Sequence, residues 1–150
     1  MGLEQEIRQG RPFKDEHFKA IVNLIYTYNW TTERLKQIFK RQQLTMQQYN
    51  ILRILRGTKV PLSTLQLRNR MLDKMSDTSR LIDRLADKSL VKRKESKNDG
   101  RVVEIIITRK GLDLLQKIDR YNDEISGLFS GITEKEATAL NRLLDKIRKR

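Results

Sequence analysis

Apolar residues recur at helical spacing along nearly the whole chain, and only between Leu90 and Thr108 does that spacing give way to alternation. A chain patterned this way folds as helices around one small ribbon. In Val102-Val103-Glu104-Ile105-Ile106-Ile107 the β-branched residues Val103, Ile105 and Ile107 share one face, the pattern of a strand. Val91-Lys92-Arg93-Lys94-Glu95 supplies its partner, and Asn98-Asp99-Gly100 is a turn signal between them. The segment reads as a β-hairpin with a basic tip.

The helices announce themselves by spacing and by caps. Phe18, Ile21, Ile25, Tyr28, Thr32, Leu35 and Phe39 step by three and four, and Val22, Leu24 and Ile38 widen the stripe. This predicts one helix over about residues 14–41. A helix that long outgrows the core of a small domain, so part of its apolar face is expected to meet a second subunit. Thr45-Met46-Gln47-Gln48, Ser63-Thr64-Leu65-Gln66 and Thr133-Glu134-Lys135-Glu136 are capping boxes, each ahead of an apolar run. Gly57 is expected to stop the second helix in the left-handed region. Ser76 is expected to cap a further helix whose inner face is Thr78, Leu81, Ile82 and Leu85. Thr108 is expected to cap a long helix through Leu112, Leu115, Ile118, Tyr121 and Ile125, as far as about Leu128. The prolines, Pro12 and Pro61, stand where helical patterns stop.

A length of 150 residues suits one domain. Its 32 Lys and Arg against 19 Asp and Glu leave a formal charge of +13, which calls for an anionic partner, nucleic acid or a membrane surface. The excess is concentrated: residues 45–108 hold 14 basic and 7 acidic side chains, whereas residues 1–44 hold 8 and 5 and residues 109–150 hold 10 and 7. The absence of Cys excludes disulfides, thiolate zinc sites and cysteine nucleophiles. With one His and no ligand-spaced carboxylates, no metal and no cofactor are expected. No apolar run reaches the roughly 20 residues that span a bilayer, and the N-terminus lacks a signal-peptide pattern, so a cytoplasmic protein without a membrane partner is expected. There is no Gly-rich phosphate loop and no spacing that suggests a Ser-His-Asp arrangement, so no enzymatic activity is expected.

Two short helices, a tight turn and a two-stranded ribbon make a winged helix-turn-helix, and the fold class is mainly α with a small β-hairpin. Residues 45–108 form the winged lobe; residues 14–44 and 109–150 are expected to be flanking dimerisation helices. The second helix of the pair suits the major groove of double-stranded DNA, and the ribbon can send a side chain to the minor groove. Ser76, Asp77, Ser79, Arg80 and Asp83 lie opposite the core face. Arg80 is the candidate for base contact, because a guanidinium pairs bidentately with guanine. Arg84, Lys88, Arg93 and Lys97 are read as phosphate contacts, which position without specifying. Asn98, Asp99 and Arg101 belong to the wing, and Thr64, Arg68 and Arg70 are candidates for backbone contacts. The alternative is a non-specific architectural or protein-interaction winged-helix protein.

Ser79-Arg80-Leu81-Ile82-Asp83-Arg84-Leu85, Leu90-Val91-Lys92-Arg93, Asp99-Gly100-Arg101 and Ile107-Thr108-Arg109-Lys110-Gly111 together resemble the MarR family of bacterial transcription regulators. The resemblance covers about residues 14–149 in element order, and its specific part is 76–111. It implies a homodimer interlocked through the first and last two helices, acting as a repressor on a pseudo-palindromic operator. It also implies that Arg101 at the wing tip enters the minor groove, oriented by Asp99. Many relatives release DNA when a small anionic or phenolic effector enters a cleft between the dimer helices and the lobe. The chain departs from the family pattern at four places. Gly100 stands where a second Arg is common, Ser89 where a left-handed Gly is common, Arg68 where a small residue is usual, and Leu72 near a usual Gly. A non-Gly residue at the left-handed position costs about 1 kcal/mol unless another cap takes over.

His17 reads as an ordinary surface or interface residue. Tyr26, Tyr28 and Trp30 suit core or dimer packing, with lining of a ligand cleft as the alternative. Lys146, Arg148, Lys149 and Arg150 suit the negative end of the last helix dipole.

Overall fold

Local hydrogen bonds start most of the helices. In the computed structural model, which describes residues 1–149, α1 (Leu3–Glu6) precedes α2 (Glu16–Lys40). The Asp15 carboxylate begins α2 by accepting the Phe18 N–H at 2.8 Å. The capping boxes at Thr45, Ser63 and Thr133 all form, and they open α3 (Met46–Arg56), α4 (Thr64–Arg70) and α8 (Glu134–Arg148). Each satisfies two backbone N–H groups that the first turn leaves unpaired. Lys146, Arg148 and Lys149 follow at the end of α8; Arg150 lies outside the described residues.

Helix α5 (Thr78–Asp87) starts one residue later than the sequence suggests. Asp77, not Ser76, is the cap: its carboxylate accepts the Arg80 N–H at 3.1 Å, while the Ser76 hydroxyl donates to the Asp73 carbonyl. A carboxylate is as good a cap as a hydroxyl, and the loop geometry decides between neighbours. Gly57 is also corrected, since its φ of −80° is right-handed and needs no glycine. Left-handed stops follow α2 at Gln43, with φ 56°, and α5 at Ser89, with φ 61°. There Ser89 N–H donates to the Ala86 carbonyl and Leu90 N–H to the Leu85 carbonyl, a complete Schellman motif. The Ser89 carbonyl also accepts the Thr108 hydroxyl at 2.7 Å, which offsets the strain.

The ribbon is β2 (Val91–Glu95) and β3 (Val103–Ile107), antiparallel, with Val91 opposite Ile107 and Glu95 opposite Val103. A third strand, β1 (Leu62–Ser63), pairs with the other edge of β3, giving the order β1-β3-β2. Two residues are too few for a visible period, so pattern reading misses β1.

Thr108 caps α6 (Arg109–Asp119) as expected, yet α6 does not run to Leu128. The chain breaks at Arg120–Tyr121 and resumes as α7 (Asn122–Gly127). Three side-chain contacts hold this break against α2 and α3: Arg56 with Asp119, Gln42 with the Tyr121 hydroxyl, and Arg41 with Glu124. Gly111 lets α6 start flush against the sheet. A Cβ there would strike the Leu90 carbonyl and come within 2.7 Å of Ile107 Cγ1.

The core sits inside the winged lobe and under α6. Ile51, Leu52, Leu67, Leu85, Ile105, Leu115 and Ile118 are fully buried there, and Phe39 at the end of α2 joins them. Most of α2 stands outside this core, with Phe18, Ile21, Leu24, Ile25 and Tyr28 exposed.

Candidate nucleic-acid interface

The apolar side of α5 anchors it: Thr78, Ile82 and Leu85 are buried and Leu81 half-buried. Helical geometry therefore turns Ser79, Arg80, Asp83 and Arg84 outward, and all four are exposed. Ser76 lies in the turn before the helix and is half-buried, and Asp77 is exposed. Arg80 Nε is 3.7 Å from the Asp77 carboxylate, so the cap residue also restrains the guanidinium.

The turn ahead of α5 is held from beneath by Asn50 on α3. Its Oδ1 accepts the Leu72 N–H at 2.9 Å, while its Nδ2 is buried without a partner. Sequence reasoning misses Asn50. The available signal is an amide in the midst of the apolar α3 run Tyr49-Asn50-Ile51-Leu52. Where Gly is usual in the family, Leu72 is exposed, and Met71 beside it plugs the core instead.

At the wing, Asp99 Oδ1 accepts both the Arg101 backbone N–H at 3.1 Å and Arg101 Nε at 3.2 Å. The Arg101 side chain is 92% accessible, so it projects from the tip while its base is tethered. Asn98 and Lys97 stand beside it; Lys97 is exposed, and the Asn98 N–H is bonded to the Ser96 hydroxyl. Gly100 does not adopt a left-handed conformation.

The other basic candidates divide into tied and free groups. Arg93 forms an ion pair with Asp83 of α5. The Lys88 ammonium donates to the Gln43 carbonyl, so it caps the turn after α2, and its own carbonyl accepts Lys110. Arg68, Arg70, Arg84 and Lys97 are exposed and form no ion pair among the described residues. Thr64 is the first residue of α4 and half-buried.

A cleft of about 930 Å³ separates α2 from the helix-turn-helix. Tyr28, Lys36, Lys40, Asn50 and Lys74 are among its lining residues. Of the three clustered aromatics, Tyr28 faces this cleft, while Arg34 stacks on Trp30 at 3.8 Å. His17 is exposed. Among the described residues, no group of three His, Asp or Glu could hold a metal ion, and no helix is long and apolar enough to cross a membrane.

A capped recognition helix, a turn held from beneath by a buried asparagine and an arginine-tipped ribbon define a winged helix-turn-helix DNA-binding protein. Residues 44–103 match the model of the MarR family. The MarR transcription factor of Planctomyces limnophilus is 32% identical, over 89% of this chain and 98% of its own, with a TM-score of 0.63. The transcriptional regulator PecS of Dickeya dadantii is 25% identical over 98% of this chain and 91% of its own. A point mutant of MarR from E. coli, solved in complex with operator DNA, matches over 99% of this chain and 100% of its own at 21% identity and a TM-score of 0.77. The chain belongs to the MarR family: it is a DNA-binding transcription regulator, not an enzyme.

Proposed function

We propose that the chain is a cytoplasmic homodimeric repressor that reads a pseudo-palindromic operator with one winged lobe per half-site. The observation that carries this reading is the outward face of α5, where Arg80 and Arg84 stand exposed on a helix whose other side is locked into the core. In the major groove Arg80 pairs with guanine, a contact worth about 1–3 kcal/mol of discrimination. Arg84, Arg68, Arg70 and Lys97 neutralise phosphates, which sets register and salt dependence. Arg101, steadied by Asp99, enters the neighbouring minor groove.

The dimer is formed by α2 and the C-terminal helices α6 to α8. Supporting this, Ile21, Ile25 and Tyr28 on α2 and Leu143 and Ile147 on α8 are exposed apolar side chains at helical spacing. Such a surface calls for a partner in water. An anionic or phenolic effector occupies the cleft between α2 and the lobe. Lys36, Lys40 and Lys74 outnumber Glu33 and Asp73 in its lining, Tyr28 offers a ring, and Asn50 stands in its wall. Because Asn50 also holds Leu72, an effector there bears on the turn that aims α5.

Selection of bound duplexes from random DNA at physiological salt tests the central reading. An inverted repeat with half-sites about one helical turn apart is expected. A flat pool with measurable binding would replace it with the architectural reading.

A further inference from the structure

We infer that Asp83 is a specificity-determining residue that acts by withholding Arg93 from DNA phosphates; the inference rests on the DNA-binding reading above. Asp83 lies on the exposed face of α5, three residues after Arg80 and next to Arg84. A lone carboxylate there would repel phosphate and weaken every complex. It is not alone. Arg93 projects from β2 on the same strand face as the buried Val91, the face turned toward α5, and its guanidinium closes on the Asp83 carboxylate.

The pair has two consequences. It removes one cation from the set available to phosphate, and it fastens the recognition helix to the wing by side chains, next to the short link of residues 88–90. Non-specific complexes are made of phosphate contacts alone, so a withheld cation reduces them directly. Operator binding needs α5 and the wing seated together in adjoining grooves, and the pair fixes their relative position. Asp83 therefore lowers affinity for random DNA while supporting affinity for the operator. Specificity is a difference of affinities, and disfavouring wrong complexes raises it as effectively as favouring the right one.

The test is the salt dependence of binding to a duplex of random sequence about three helical turns long, measured for the full-length wild type, Asp83→Asn, Arg93→Gln and the double variant. Asp83→Asn is expected to bind about five- to tenfold more tightly per lobe at about 0.1 M salt, with a log–log slope steeper by about 0.9 per lobe. Arg93→Gln, which leaves the Asp83 carboxylate unpaired, should bind no more tightly and no more steeply than the wild type, and the double variant should lack the gain of Asp83→Asn. Asp83→Ala should reproduce the steeper slope, and a melting midpoint for each variant shows that the fold persists. An unchanged slope in Asp83→Asn would overturn the proposal. So would a double variant that binds as tightly and as steeply as Asp83→Asn, because the gain would then not come from a released Arg93. Weaker binding to a selected operator with unaltered random-duplex binding would make Asp83 a base reader and also defeat it. If the wild type itself bound no duplex at low salt, the DNA-binding reading would fail first and take this inference with it.

Discussion

The winged lobe and the long terminal helices carry the same apolar spacing but meet different fates. In the lobe, Ile51, Leu52, Leu85 and Ile105 are completely buried. On α2 and α8, Ile21 is 57% and Ile147 67% accessible, although they sit in equally regular stripes. A stripe records that a helix face leaves water; it does not record what covers that face. The lobe covers its own stripes because α3, α4, α5 and the sheet are short and close together. Helix α2, with 25 residues, reaches well past the core it helps to close.

Charging the open face should produce the largest effect. Ile21→Asp combined with Leu143→Asp is expected to halve the solution mass from about twice 17.8 kDa and to weaken operator binding by at least about a hundredfold, through the lost second half-site. Sedimentation and titration check both. A pair of charges that altered neither would mean that this face is not the interface.

Where α6 packs on the closed lobe, Gly111→Ala is the next most severe change. Its methyl would meet the Leu90 carbonyl and the Ile107 side chain, and a loss of about 1–3 kcal/mol is expected in denaturant melts. Unaltered stability would show that α6 can lift from the sheet.

On the DNA face, Arg80→Ala should lose about 1–3 kcal/mol of preference for one base pair. Arg84→Ala should weaken all sequences alike and flatten the salt slope by about 0.9 per lobe. Equal losses on operator and random DNA in both variants would show that α5 does not read bases.

The smallest effect is expected at the α7 latch, where the end of α2 meets the C-terminal helices. Hydrogen bonding to Arg41 holds the Glu124 carboxyl below the usual glutamate range. A lowered folded value means that the latch contributes fully above the ordinary glutamate pKa, and that the contribution fades as pH falls through the lowered value. Melting midpoints of the wild type and Glu124→Gln should therefore differ at neutral pH and converge on acidification. A constant gap across that range would remove the latch from the account.

Much of this architecture is legible because its cues are local. Thr45, Ser63 and Thr133 need only a partner three residues on, so their capping boxes can be read without any knowledge of tertiary contacts. The wing is legible for the same reason, since its period and turn lie within one short segment. The misreadings occur where distant groups compete with local ones. Ser76 and Asp77 are both competent caps, and the turn pinned by Asn50 selects Asp77. The expected helix to Leu128 has an unbroken stripe, yet Arg41, Gln42 and Arg56 hold a break at Tyr121. Nor does the sequence show that Lys88 meets the Gln43 carbonyl, 45 residues away, or that Arg93 pairs with Asp83 across the link between α5 and β2.

Most helix starts, the ribbon and the basic centre could be read from the chain alone. Each of these follows from side-chain period, capping chemistry or charge within a few residues. Where helices break, which cations are engaged and which apolar faces stay open depend on how the elements pack. Those depend on groups up to 83 residues apart, such as Arg41 and Glu124, meeting at hydrogen-bond distance. Such encounters leave no period in the chain, because the interaction is set by distance in space and not by separation along the backbone.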